Sequence, residues 1–244
     1  MRKYLPFLTG VMALVVFFSI YFFKKREALE GDVYKAAREE MVTTQIESRG
    51  IKDEKVIEAM RRVPRHKFVP SHLESSAYED RPLPIGCGQT ISQPYIVALM
   101  TQLLELCEED KVLEVGTGSG YQAAILSEIA SEVYTIEIFE ELGISVTERL
   151  KNLGYHKIKV KVADGYYGWP EEAPFDAIIV TCAADHIPPP LIAQLKDGGK
   201  MCIPVGSVFQ VQKLMLVEKK DGEITAKNIL PVRFVPMLGK HQEM

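Results

Sequence analysis

The chain predicts an α/β fold, a doubly wound, mostly parallel sheet of seven strands with an N-terminal transmembrane helix. Three observations predict it. From Lys111 onward, β-rich runs alternate with helical stretches of about 10 to 15 residues, the pattern of parallel strands joined by right-handed crossovers. The first run ends in K-V-L-E-V-G-T-G-S-G, Lys111 to Gly120, a strand closed by three glycines two apart. Tyr4 to Phe23 is almost wholly apolar and uncharged. At about 1.5 Å per residue it would span about 30 Å, a bilayer core.

The 244 residues are 47% hydrophobic and 25% charged. That suits one well-buried domain plus an appendage: residues 1–30 as membrane anchor and linker, 31–244 as the folded domain. A net charge of −4 argues against nucleic acid as a partner. A monomer is expected. Cys87, Cys107, Cys182 and Cys202 form no C-x-x-C pair and no zinc spacing with histidine, so no metal is expected. They read as reduced thiols acting as small hydrophobes.

A cleaved signal peptide would have a shorter apolar core and a small-residue cleavage site. This run ends F-F-S-I-Y-F-F-K-K-R, which favours an uncleaved anchor. Arg2 and Lys3 precede it; Lys24, Lys25 and Arg26 follow. The slight excess on the C-terminal side places the domain on the cytoplasmic face. The alternatives are a soluble cytoplasmic protein and a periplasmic one.

Val33 to Ser48 has one apolar stripe and reads as a helix stopped by Gly50. Asp53 caps a second helix, Glu54 to Arg62, which Pro64 ends. Arg65 to Pro70 reads as a loop, with His66 solvated or capping. Ser71 to Gly88 is rich in Pro, Gly, Ser and acids and should wrap a surface. Pro94 sits in the first turn of a helix reaching about Leu106. After the glycine loop come a helix from Tyr121 to Ala130, a strand from Glu132 to Ile138, and a helix from Phe139 to Leu153 with Gly154 at its C′ position. Ile158 to Val162, Phe175 to Ala183 and Met201 to Gly206 are the next strands, with a short helix from Pro188 to Lys196. Two further β-rich runs flank Lys220-Asp221-Gly222, an Asp-Gly hairpin signal.

Ligands of such sheets bind beyond the carboxyl ends of the strands. There the first four strands bring Glu114 to Gly120, Glu137, Asp164 and Thr181 to Asp185. A dinucleotide site would show G-x-G-x-x-G; this chain has G-x-G-x-G behind Glu114. Three acids, Glu114, Glu137 and Asp164, disfavour a pyrophosphate. They suit a cationic ligand with ribose and amine groups, and S-adenosylmethionine has them. Glu137 is placed to accept from two ribose hydroxyls, and Gly116, Gly118, Gly120 and Gly165 let the ligand approach the backbone, with Thr117 between the loop glycines as a further cofactor contact.

L-E-V-G-T-G-S-G-Y-Q, T-I-S-Q-P, A-D-G-Y-Y-G-W, A-P-F-D-A-I-I-V and I-P-V-G, in this order, resemble protein-L-isoaspartate (D-aspartate) O-methyltransferases. So do R-x-x-F-V-P at Arg65 to Pro70 and R-F-V-P at Arg233 to Pro236. The resemblance runs from about Val33 to Met237. The most specific motif is T-I-S-x-P ahead of the glycine loop. Ala163 and Cys87 depart from the usual residues, and the N-terminal segment is outside the family pattern. The resemblance implies a class I, Rossmann-like S-adenosylmethionine-dependent methyltransferase acting on isoaspartyl residues of damaged proteins. Ser92 matches the family's active-site serine, with Thr90 beside it. The alternatives are a class I methyltransferase with another acceptor and a non-catalytic cofactor-binding module at the membrane.

Overall fold

A computed structural model describes residues 34–207 and 209–239. Helix α1 (34–41) runs into a π-helical turn, Val42–Ile46, and a 3-10 turn, Glu47–Arg49. Gly50 stops it at φ 91°. Helix α2 (Glu54–Arg62) starts where the Asp53 carboxylate accepts the Lys55 N–H. Helix α3 (Pro94–Leu103) carries its proline at N1, where no N–H is missed.

The strands of the main sheet are β3 (Lys111–Val115), β4 (Glu132–Glu137), β5 (Ile158–Val162), β6 (Phe175–Val180), β7 (Leu195–Val205), β8 (Gln212–Lys220) and β9 (Glu223–Val232). Their order is β5-β4-β3-β6-β7-β8-β9. The first five are parallel and the last two antiparallel. The β8–β9 turn holds Asp221 at φ 53° and Gly222 at φ 78°, the left-handed pair the Asp-Gly signal demands. Helices α4 (Tyr121–Ser127), α5 (Glu140–Asn152) and α6 (Pro189–Gln194) complete the crossovers.

Alternate residues of the central strands face opposite layers. Val112, Ala177 and Ile179 join the core packed by α2, α3 and α4. Leu113, Val115, Ile178 and Val180 join the core on the other face. From β3 the chain steps to β4 on one side and later to β6 on the other, so the switch point is the carboxyl end of β3, where the glycine loop lies.

The expected fold class is corrected on one point, the transmembrane helix. Among the described residues no helix is long and apolar enough to cross a membrane. The 13 residues of α5 reach about 20 Å, short of the roughly 30 Å required. Tyr4 to Phe23 lies outside the described residues, and the membrane attachment and cytoplasmic facing expected from it have no support among them.

Two local expectations also change. The stretch before Thr90 contains a two-stranded hairpin, β1 (Leu83–Gly86) and β2 (Gln89–Ile91), turning at Cys87 (φ 49°) and Gly88 (φ 68°). Strands of four and three residues, one bearing Pro84, offer too little alternation to be read from sequence. His66 is buried rather than solvated. It stacks on Tyr34 at 4.0 Å, and its Nδ1 lies 2.8 Å from the Tyr78 hydroxyl.

Candidate active site

A cleft with about 740 Å³ of empty space, open solvent included, sits at the switch point. Of the expected site residues, Thr90, Ser92, Glu114, Gly116, Thr117, Gly118, Glu137 and Gly165 line it. Gly120 and Asp164 stand one step back. Gly120 is the N-cap of α4 at φ 85°. Asp164 caps the 3-10 turn Gly165–Tyr167 by accepting the Tyr166 N–H at 3.0 Å.

The glycine loop is shaped by close approach. A Cβ on Gly116 would lie 2.5 Å from Thr181 Oγ1, and one on Gly120 would lie 2.4 Å from Val146 Cγ2. The Gly116 and Thr117 amides donate to Ile136 O of β4, at 2.9 and 3.1 Å. Glu137 finishes β4 and holds the loop from the other side. Its Oε2 accepts the Gly118 N–H at 2.8 Å and its Oε1 the Phe139 N–H at 3.0 Å. A carboxylate has about four lone-pair positions, so each oxygen keeps capacity for a further donor.

Glu114 lies at the floor, fully buried. Its Oε2 accepts from the Thr135 hydroxyl, which also pairs with Thr117 Oγ1 at 2.6 Å. Its Oε1 is buried with no hydrogen-bond partner among the described residues. Burial, and then the neighbouring Glu137 charge, push the Glu114 carboxyl up to about 8 against the bond from Thr135. Burial and the charges of Glu137, Asp164 and Glu114 push the Cys182 thiol up to about 12. Acids gather at one side of the cleft, and the orphaned Glu114 oxygen, the Glu137 carboxylate and the glycine cradle fit a cationic ligand with ribose hydroxyls.

The opposite wall is the β1–β2 hairpin and the turn into α3. Thr90 is exposed and Ser92 half-buried. Gln93, not Ser92, is the N-cap of α3, and it makes no side-chain cap bond, so the Ser92 hydroxyl is not spent on the helix. Behind Ser92 lies Arg65, fully buried, whose Nη2 donates to Ser92 O at 2.7 Å.

Sequence reasoning brought Thr181 and Cys182 to this crevice, and both line it. It missed Phe139 and the C-terminal segment Val235 to Leu238, which also line it. That segment is tied down by Ala183 N donating to Val235 O at 2.8 Å and Met237 N to Ala183 O at 2.7 Å. The R-F-V-P motif marked it, but no periodicity says that it returns to the cleft.

The family model described as Protein-L-isoaspartate(D-aspartate) O-methyltransferase (PCMT) matches residues 36–242. Protein-L-isoaspartate O-methyltransferase 1 of Nitrosospira multiformis is 57% identical over 216 residues, covering 87% of this chain and 92% of that one. The protein of the same name from Cupriavidus necator is 62% identical over 190 residues, 78% of this chain and 73% of that one. Among solved structures, a protein-L-isoaspartate O-methyltransferase superposes with a TM-score of 0.77 at 31% identity, covering 83% of this chain and 66% of that one. A Plasmodium falciparum structure, described as such an enzyme in complex with S-adenosyl-L-homocysteine, superposes at 0.71 with 27% identity, covering 84% of this chain and 98% of that one.

Proposed function

The chain belongs to the protein-L-isoaspartate(D-aspartate) O-methyltransferase family, and we propose how the residues of its cleft carry out that family's reaction. The reaction is S-adenosylmethionine-dependent methylation of the free carboxylate of isoaspartyl residues in proteins. The cofactor, when bound, supplies a methyl group on a positively charged sulfur.

Glu114, Gly116, Thr117 and Gly118 would form the floor for that cofactor and Glu137 and Gly165 its rim, with Gly120 and Asp164 shaping the turns behind them. Glu137 would accept from the ribose hydroxyls while keeping its hold on Gly118 and Phe139. Glu114 would lie beneath the ligand at the floor. The loop glycines keep the surface free of side chains where the ligand meets backbone.

The acceptor carboxylate is already ionised at neutral pH, so the site needs no strong general base. What the chain must supply is orientation and the exclusion of water. Ser92 donates its hydroxyl to the carboxylate and fixes its direction, and Thr90 shapes the same segment. Ser92 is not a nucleophile here. The single observation that carries this reading is that one cleft is lined by the glycine loop and Glu137 on one wall and by Thr90 and Ser92 on the other.

Replacing Ser92 tests it. Ser92→Ala should lower kcat/KM for an isoaspartyl peptide about 10- to 100-fold, the loss of one hydrogen bond to a charged group. The affinity for S-adenosylhomocysteine, read by calorimetry, should change less than twofold. An equal fall in cofactor affinity would mean that Ser92 only supports the fold.

A further inference from the structure

Arg65 opens the R-x-x-F-V-P motif, a stretch that the cleft itself does not account for. It lies in the 3-10 turn Arg65–Phe68, three residues after α2 ends, and is entirely buried. Its Nε donates to Ala77 O at 2.7 Å and its Nη2 to Ser92 O at 2.7 Å. Ala77 precedes the β1–β2 hairpin and Ser92 follows it. One planar side chain therefore joins the end of the 3-10 turn Ser71–Ser76, six residues ahead of the hairpin, to the residue that follows the hairpin. The guanidinium carbon sits 4.8 Å from the centre of the Tyr121 ring, and Tyr121 opens α4 at the end of the glycine loop.

Burial lowers the Arg65 pKa to about 10, so the group is still cationic at neutral pH. No carboxylate pairs with it among the described residues, and its Nη1 has no hydrogen-bond partner there. A buried cation without a carboxylate partner is costly, and here two carbonyls and the Tyr121 ring hold it. A rigid two-armed donor suits the joining of two carbonyls.

We propose that Arg65 is the positioning residue of the acceptor wall: its fork ties the segment ahead of the hairpin to Ser92 behind it and so sets where Ser92 meets the substrate carboxylate. The proposal rests on the reading of Ser92 as the group that orients the acceptor. Lysine keeps the charge at this position but cannot hold both carbonyls in the plane of one group. Glutamine removes the charge and keeps one amide.

The test uses the full chain carrying Arg65→Lys or Arg65→Gln, with Ser92→Ala beside them. Arg65→Lys should lower kcat/KM for an isoaspartyl peptide at least tenfold, mostly through a higher KM, and Arg65→Gln should lower it at least as far. S-adenosylhomocysteine affinity should stay within twofold. Hydrogen exchange of Arg65→Lys should quicken over residues 83–92 and leave residues 116–120 unchanged. Wild-type peptide kinetics for Arg65→Lys would overturn the proposal, because the fork would then be dispensable. Cofactor affinity falling in step with peptide kinetics, or exchange quickening throughout the chain, would overturn it too, since Arg65 would then hold up the whole fold. If Ser92→Ala alone behaved as wild type, the reading of Ser92 would fail separately, and the exchange pattern would still judge the clamp.

Discussion

The two walls of the cleft are held by different means. On the donor wall, backbone lies against neighbour with no space between: Gly116 against Thr181, Gly120 against Val146, and Gly165 against Val115, each too near to admit a Cβ. Strand β3 is buried from Val112 to Val115, Glu114 among them, and Glu137 at the end of neighbouring β4 is buried too. The acceptor wall is a short hairpin whose Thr90 and Gly88 are exposed. Long side chains reaching carbonyls fasten it: Arg65 to Ala77 and Ser92, Gln45 to Tyr78 at 2.8 Å, and Gln93 to Asp80 at 3.2 Å. A wall built of close packing has little room to move. A wall hung on side chains leaves its tip exposed.

The largest expected effect comes from adding one methyl group to each wall. Gly120 has φ 85° and Gly88 has φ 68°, so alanine is strained at both by about 1 kcal/mol. A Cβ at Gly120 would also lie 2.4 Å from Val146 Cγ2 and 3.4 Å from Leu150 Cδ2, whereas at Gly88 it would meet nothing within 4 Å. Overpacking adds roughly 1 to 3 kcal/mol. Gly120→Ala should therefore lose about 2 to 4 kcal/mol in urea unfolding and bind cofactor poorly. Gly88→Ala should lose about 1 kcal/mol and bind cofactor normally. Equal losses would erase the distinction between packed and hung walls.

Glu137→Ala separates the walls by function. It strands the Gly118 and Phe139 amides, and each unmet buried donor costs about 1 to 3 kcal/mol. Cofactor affinity should fall about 30- to 100-fold in calorimetry. The peptide KM at saturating cofactor should move less than threefold, the reverse of Ser92→Ala. Unchanged cofactor affinity would remove Glu137 from the site.

The same contrast decides what could be read in advance. The donor wall was legible because its parts lie close in sequence and have fixed local forms: β3, three glycines, α4, and an acid closing the next strand. Asp53 and Asp221-Gly222 were legible for the same reason. The hairpin was not, since Leu83 takes its place from packing against distant residues and not from any period. Nor was the burial of His66, because it depends on Tyr34 and Tyr78, which reach it from separate segments. Arg65 stood inside a quoted motif, yet nothing local says that its partners are Ala77 and Ser92.

Two buried groups, Glu114 at the floor of the cleft and His66 next to Arg65, have shifted pKa values with opposite effects on stability. Glu114 is raised from 4.5 to about 8, chiefly by burial. The folded state keeps a proton that the unfolded chain gives up, so this stability is complete below pH 4.5 and is lost as pH rises towards 8. His66 is lowered from 6.5 to about 4, by burial and then by the charges of Lys67 and Arg38. The folded state refuses a proton that the unfolded chain takes up, so its stability is complete above pH 6.5 and is lost as pH falls towards 4. At about 1.4 kcal/mol per unit, acidification from pH 6.5 to 5 should gain about 2 kcal/mol at Glu114 and lose about 2 kcal/mol at His66. The two nearly cancel, and the wild-type chain should show little change in urea unfolding over that range. Glu114→Gln should lose about 2 kcal/mol on the same acidification, and His66→Asn should gain a similar amount. If both variants kept the flat wild-type profile, neither group would be the buried acid or buried imidazole that sets the pH dependence.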